Sequence, residues 1–159
     1  MTWLSPLPPG DTGWYRLAAL QPGLIRALSE LQRTTWTLID PTVLELCRIR
    51  IAMLLGSPGG QRLRAVPAVE AGLNETKVAA LTSWPTSPLF SAGDRACLGL
   101  TEQFVIDVQG ITDEQVAAVT RYLGEQQCFV LVNALWSMEA LERACMVLGI
   151  EPALETIGS

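Results

Sequence analysis

The residues best able to do chemistry crowd into one stretch of this chain. Glu45, Cys47 and Arg48 stand in the run ELCRIRIAMLLG, residues 45–56. A small knot of Ser57, Pro58, Gly59 and Gly60 follows, and a second pattern opens with Arg62 and Arg64. A carboxylate such as Glu45 can act as a general base, and an arginine such as Arg64 can hold an acidic ligand. Each residue also has an ordinary reading. Glu45 can pair with Arg48 three residues on, Arg64 can stay solvated beside Arg62 on a helix surface, and Ser57-Pro58 reads as a helix cap followed by a first-turn proline. The knot itself contains no cysteine, histidine or acid.

The chain has no histidine anywhere. That removes the commonest general base near neutral pH, the usual zinc and haem ligand, and any nucleophile triad built on an imidazole. The four cysteines, Cys47, Cys97, Cys128 and Cys145, are spaced 50, 31 and 17 residues apart, with no CxxC pair. Each lies in an apolar-periodic context, which predicts reduced, buried thiols.

Composition bounds the rest. At 159 residues the chain suits one domain with a real core. Apolar residues make up 49% and charged residues 17%, against roughly 25% charged in typical domains. That excess predicts a homo-oligomer whose interfaces cover apolar helix faces. Net charge is −5, and the arginines are interspersed with apolar residues, so nucleic acid is not an expected partner. The greasy stretches 43–56 and 128–150 carry Glu45, Arg48, Arg50, Glu139, Glu142 and Arg143, which argues against membrane spans. The N-terminus lacks the basic region and apolar core of a signal peptide. A cytoplasmic location and no cofactor are the expectation.

The elements that position the knot read as helices throughout. Residues 1–12 form a Pro-rich segment, 13–152 one helical domain, and 153–159 a tail. Pro22 and Asp40-Pro41 suit helix starts, and Leu44, Cys47, Ile51, Leu54 and Leu55 make an apolar stripe. Helices are expected over 61–71 and 75–82, the second capped by Asn74. Ser91 with Asp94, and Thr112 with Gln115, suit the starts of two further helices. Gly124 and Gly149 bound the last one, over 125–148. No strand alternation is visible. The expected fold is all-α, a bundle of about seven or eight helices. Trp36, Trp84 and Trp136 are candidates to line a ligand pocket, although aromatics at helical spacing are more often core or interface, and Glu139 with Arg143 reads as an i,i+4 pair.

The order of motifs carries a resemblance. DPTVLELCRIRIAMLLGS is followed by AVEAGLNETKVAAL, SPLFSAGDRACLGLTEQF, ITDEQV and LERACMVLGIEP. This resembles the carboxymuconolactone decarboxylase and alkylhydroperoxidase D-like family over about residues 25–152. The resemblance implies the family's helical fold and a tendency to form dimers, trimers or hexamers. It also implies a redox site in which a glutamate precedes a CxxC by twelve residues, with a histidine four residues after the second thiol.

Laid on this chain, that pattern places the glutamate at Glu45, the two thiols at Ser57 and Gly60, and the histidine at Arg64. Thiol–disulfide exchange needs a thiolate and a partner sulfur, and neither position supplies one. The expectation is a family member that has lost the dithiol, with Glu45, Ser57, Gly60 and Arg64 as a candidate small-ligand site and Glu45 as the candidate catalytic group. The alternatives are acid–base chemistry on a small acidic or lactone substrate, by Glu45 with Arg64, and peroxidase-related activity through a cysteine outside the family pattern, such as Cys47.

Overall fold

The computed structural model describes residues 13–152, so the expectations for 1–12 and 153–159 lie outside the described residues. Nine α-helices follow one another among them: α1 (Trp14–Leu20), α2 (Pro22–Leu38), α3 (Pro41–Leu55), α4 (Pro58–Arg62), α5 (Val66–Glu70), α6 (Glu75–Ala79), α7 (Ala92–Ile106), α8 (Asp113–Leu123) and α9 (Glu125–Leu148). Short 3-10 turns lie at Ala80–Ser83 and Val108–Gly110. No strand occurs among the described residues, as the sequence led us to expect.

The local start and stop signals act as written. The Asp40 carboxylate accepts from the Thr42 and Val43 amides, with Pro41 at the first helical position of α3. Ser91 with Asp94 opens α7 and Thr112 with Gln115 opens α8, each as a reciprocal capping box. Asn74 caps α6 through the Thr76 amide. Gly149 closes α9 in the left-handed region, at φ 66°.

Helix α3 is the hub. It packs on α7, α9, α4 and α5, while α2 lies against α9 and α8 bridges α7 and α9. Its burial is wider than a stripe. Val43, Leu44, Leu46, Cys47, Ile49, Ile51 and Ala52 are all buried, whereas Leu54 and Leu55 are only half-buried. A helix buried on most of its surface must be apolar nearly all round, and this one is, apart from Thr42 at its start, the buried pair Glu45 and Arg48, and Arg50, which reaches Glu102 of α7. The main core joins α3 to Leu98 and Leu100 of α7 and to Leu131 and Leu135 of α9. A smaller cluster of Trp14, Leu141, Cys145 and Ile150 lies at the other end of α9, with Ile25, Leu28 and Leu148 packed on it.

The stretch expected as one helix over 61–71 is two, α4 and α5, parted at residues 63–65. Pro67 forces the break: it has no N–H for the Leu63 carbonyl, its partner in a continuous helix, and its ring crowds that carbonyl, while it suits the first turn of α5. Arg48 takes the freed Leu63 carbonyl and Glu45 takes the Ala65 amide.

Candidate functional site

Each residue of the knot is explained by the turn it makes. Gly56 adopts φ 70° at the end of α3, a left-handed conformation that favours glycine. Its amide donates to the Met53 carbonyl and the Ser57 amide to the Ala52 carbonyl, at 3.2 and 2.9 Å, which is the Schellman arrangement. Ser57 is then already the cap of α4, its Oγ accepting from the Gly60 amide at 3.2 Å, and Pro58 takes the first helical position. Gly59 and Gly60 are buried with φ in the ordinary region. They are glycines for want of space. A Cβ on Gly59 would meet Pro152 Cδ at 3.3 Å, and one on Gly60 would meet Glu142 Oε1 at 2.5 Å.

Glu45 is 0% exposed, and its carboxylate is fully engaged. Arg48 Nε donates to Oε2 at 2.7 Å and Arg48 Nη2 to Oε1 at 2.8 Å, with the Ala65 amide on Oε1 at 3.0 Å. Arg48 also donates to the carbonyls of Gly60 and Leu63, each at 2.8 Å. The pair thus ties α3 to α4 and to the 63–65 break. A buried ion pair persists only when its remaining donors and acceptors are met this way. Arg64 lies elsewhere, half-buried, with its guanidinium bidentate on Glu75 of α6 at 2.8 and 3.1 Å. It also donates to the Gln61 and Leu63 carbonyls. Hydrogen bonding to Arg64 holds the Glu75 carboxyl below its ordinary pKa. The fold therefore brings Ser57 and Gly60 together and sets Glu45 beneath them, with Arg64 facing away toward α6.

The four thiols are free and buried. Burial pushes Cys47 up to about 12, despite its hydrogen bond with Thr101, and Cys145 to about 12 as well. Cys97 is raised further, again by burial. Since the thiolate is the nucleophile, these cysteines are poor ones.

The sequence reading left Glu142 out of the candidate site. This residue is 6% exposed, stands on α9 against Gly60, and its Oε1 has no hydrogen-bond partner among the described residues. A signal was present: position 142 falls four residues after Met138 and three before Cys145, on the buried face of α9. Nearby, a shallow groove of about 260 Å³ is lined by Ser57, Gly59, Met146, Ile150 and Pro152. Neither Glu45 nor Arg64 lines it. The larger open volume, about 380 Å³, is an apolar groove between α1, α2 and the end of α9, walled by Trp14, Leu24, Ile25, Leu28, Ala144 and Leu148. Of the tryptophans, Trp36 is buried, Trp84 donates to Glu102 at 2.6 Å, and Trp136 is 56% exposed on α9.

This all-helical fold recurs in known structures. A protein of unknown function from Agrobacterium tumefaciens, a candidate antioxidant defence protein AhpD, superposes with a TM-score of 0.75 at 16% identity, over 86% of this chain and 96% of its own. The chain has an AhpD-like fold. The debrominase Bmp8, a cysteine-to-alanine variant in complex with 2,3,4-tribromopyrrole, superposes on this AhpD-like chain with a TM-score of 0.73. The identity is again 16%, over 98% of this chain and 94% of that one. No family model and no curated protein matches the sequence. No helix among the described residues is long and apolar enough to cross a membrane.

Proposed function

We propose that this chain is a non-redox member of the carboxymuconolactone decarboxylase and alkylhydroperoxidase D-like family, an oligomeric helical protein that has lost the dithiol and binds a small ligand. The observation that carries the reading is the knot. Its two thiol positions, Ser57 and Gly60, have structural work in its turn, and the space a side chain at 60 would need holds the Glu142 carboxyl. The buried cysteines supply no replacement nucleophile. The apolar groove along α9 supports the ligand reading, and the neighbour in complex with 2,3,4-tribromopyrrole is a precedent for a small aromatic guest in this fold. Exposed Phe129, Val132 and Trp136, at helical spacing on α9, support self-association.

The test is peroxide consumption with a dithiol reductant. The expected rate is that of the reductant alone. Turnover that Cys47→Ser abolishes would overturn the non-redox reading in favour of chemistry by a cysteine outside the family pattern.

A further inference from the structure

Two buried polar atoms in this protein have no hydrogen-bond partner among the described residues, and they share one cavity. Trp36 Nε1 of α2 and Glu142 Oε1 of α9 are those atoms. Both side chains line a small space of about 10 Å³, whose walls also include Gln32 of α2, Arg48 of α3, Met138 and Pro152. Trp36 is 4% exposed and Glu142 6%. Native proteins rarely leave one such group unmet, and a donor and an acceptor left beside the same void point to a guest that answers both.

The chemistry of the walls defines that guest. Trp36 Nε1–H can only donate and the Glu142 oxygen stands ready to accept. Arg48 adds a third group. Of its five N–H bonds, one from Nε and one from Nη2 go to Glu45, one from Nη2 goes to Leu63 and one from Nη1 goes to Gly60. One Nη1–H is left over. A guest that accepts twice and donates once satisfies these three groups, beside the Gln32 side chain that lines the same space, and the volume admits one atom of oxygen size.

We propose that this cavity is a binding site for a single water molecule, held by Trp36, Arg48 and Glu142. The water accepts from the indole and from the spare guanidinium N–H, and donates to Glu142 Oε1. It makes one buried network of Glu45, Arg48, water and Glu142, which joins α2, α3 and α9 directly beneath the Gly59–Gly60 turn. The Glu142 carboxyl is thereby fixed against Gly60, which gives a reason for a glycine at that position independent of its φ.

The test is water-selective NMR on the labelled full chain, with the Trp36 indole resonance assigned by its loss in Trp36→Phe. The expected result is a cross-peak between the Trp36 indole proton and a long-lived water. It should persist in Glu142→Gln, which keeps an acceptor, and vanish in Glu142→Leu. Absence of the peak in the unsubstituted protein, or its survival in Glu142→Leu, would overturn the proposal. Titration with methanol serves as the size control: displacement of the water signal would mean that the site takes larger hydroxyls and would overturn the single-water assignment. Should Glu142→Leu fail to fold, a crystal structure decides without a variant. Isolated density within hydrogen-bonding reach of both Trp36 Nε1 and Glu142 Oε1 supports the site, and an empty cavity overturns it.

Discussion

At the scale of single residues, the contact between Gly60 and Glu142 does most to define the knot. Any Cβ at 60 would meet the carboxyl at 2.5 Å, so Gly60→Ala should destabilise by about 1–3 kcal/mol, the usual range for overpacking. The neighbour in the way is the end of a side chain, so the cost should largely disappear in a Glu142→Ala background. Urea unfolding of the four proteins in this cycle measures the coupling, and strict additivity would mean that the two residues do not touch. Arg48→Ala is the harsher change. It leaves Glu45 buried without its cation and frees the Gly60 and Leu63 carbonyls, for an expected loss of about 3–5 kcal/mol. A loss below 1 kcal/mol in the same denaturation assay would contradict the buried-pair account.

At the scale of elements, helix ends decide where the chain turns, and the acid limb of stability should follow one of them. Burial alone would raise the Asp94 carboxyl, but the Lys77 ammonium and the Ser91 amide and hydroxyl outweigh it and hold Asp94 below its ordinary 3.8. A depressed folded pKa stabilises above the unfolded value and the contribution is lost as the pH falls through the folded one. The protein should therefore lose stability below about pH 4, and the gap between it and Asp94→Asn should narrow from pH 6 to pH 3. A gap that stays constant would place the stabilisation elsewhere. These caps were legible because they are local: Asp40, Asn74, Ser91 and Thr112 each act within three residues. The same holds for the Glu45–Arg48 pair. The break at 63–65 was legible in Pro67, which denies the Leu63 carbonyl its helical partner; what was not legible is that side chains fifteen to twenty residues earlier in the chain take the groups at the break. Glu142 was missed for a similar reason: its significance depends on Gly60, 82 positions away. Arg64 was placed at the candidate site by the family resemblance; in the fold its carboxylate partner is Glu75, eleven residues on, a pairing that the family pattern does not contain.

At the scale of the whole molecule, the described residues include large apolar side chains that stand exposed. Phe129 is 72% exposed, Trp136 56% and Leu24 65%. Light scattering at micromolar concentration should give a mass that is a multiple of 17.2 kDa, and Trp136→Glu should lower it if this face of α9 is the interface. A 17.2 kDa particle from the unsubstituted chain would contradict self-association. The central claim is the proposed absence of redox-active thiols from this AhpD-like fold. The most direct measurement is intact mass after a brief peroxide pulse on the native protein, followed by alkylation in denaturant. The account predicts four alkylated, unoxidised thiols, because all four cysteines are buried and free. A disulfide or an oxidised cysteine formed within the pulse would contradict it.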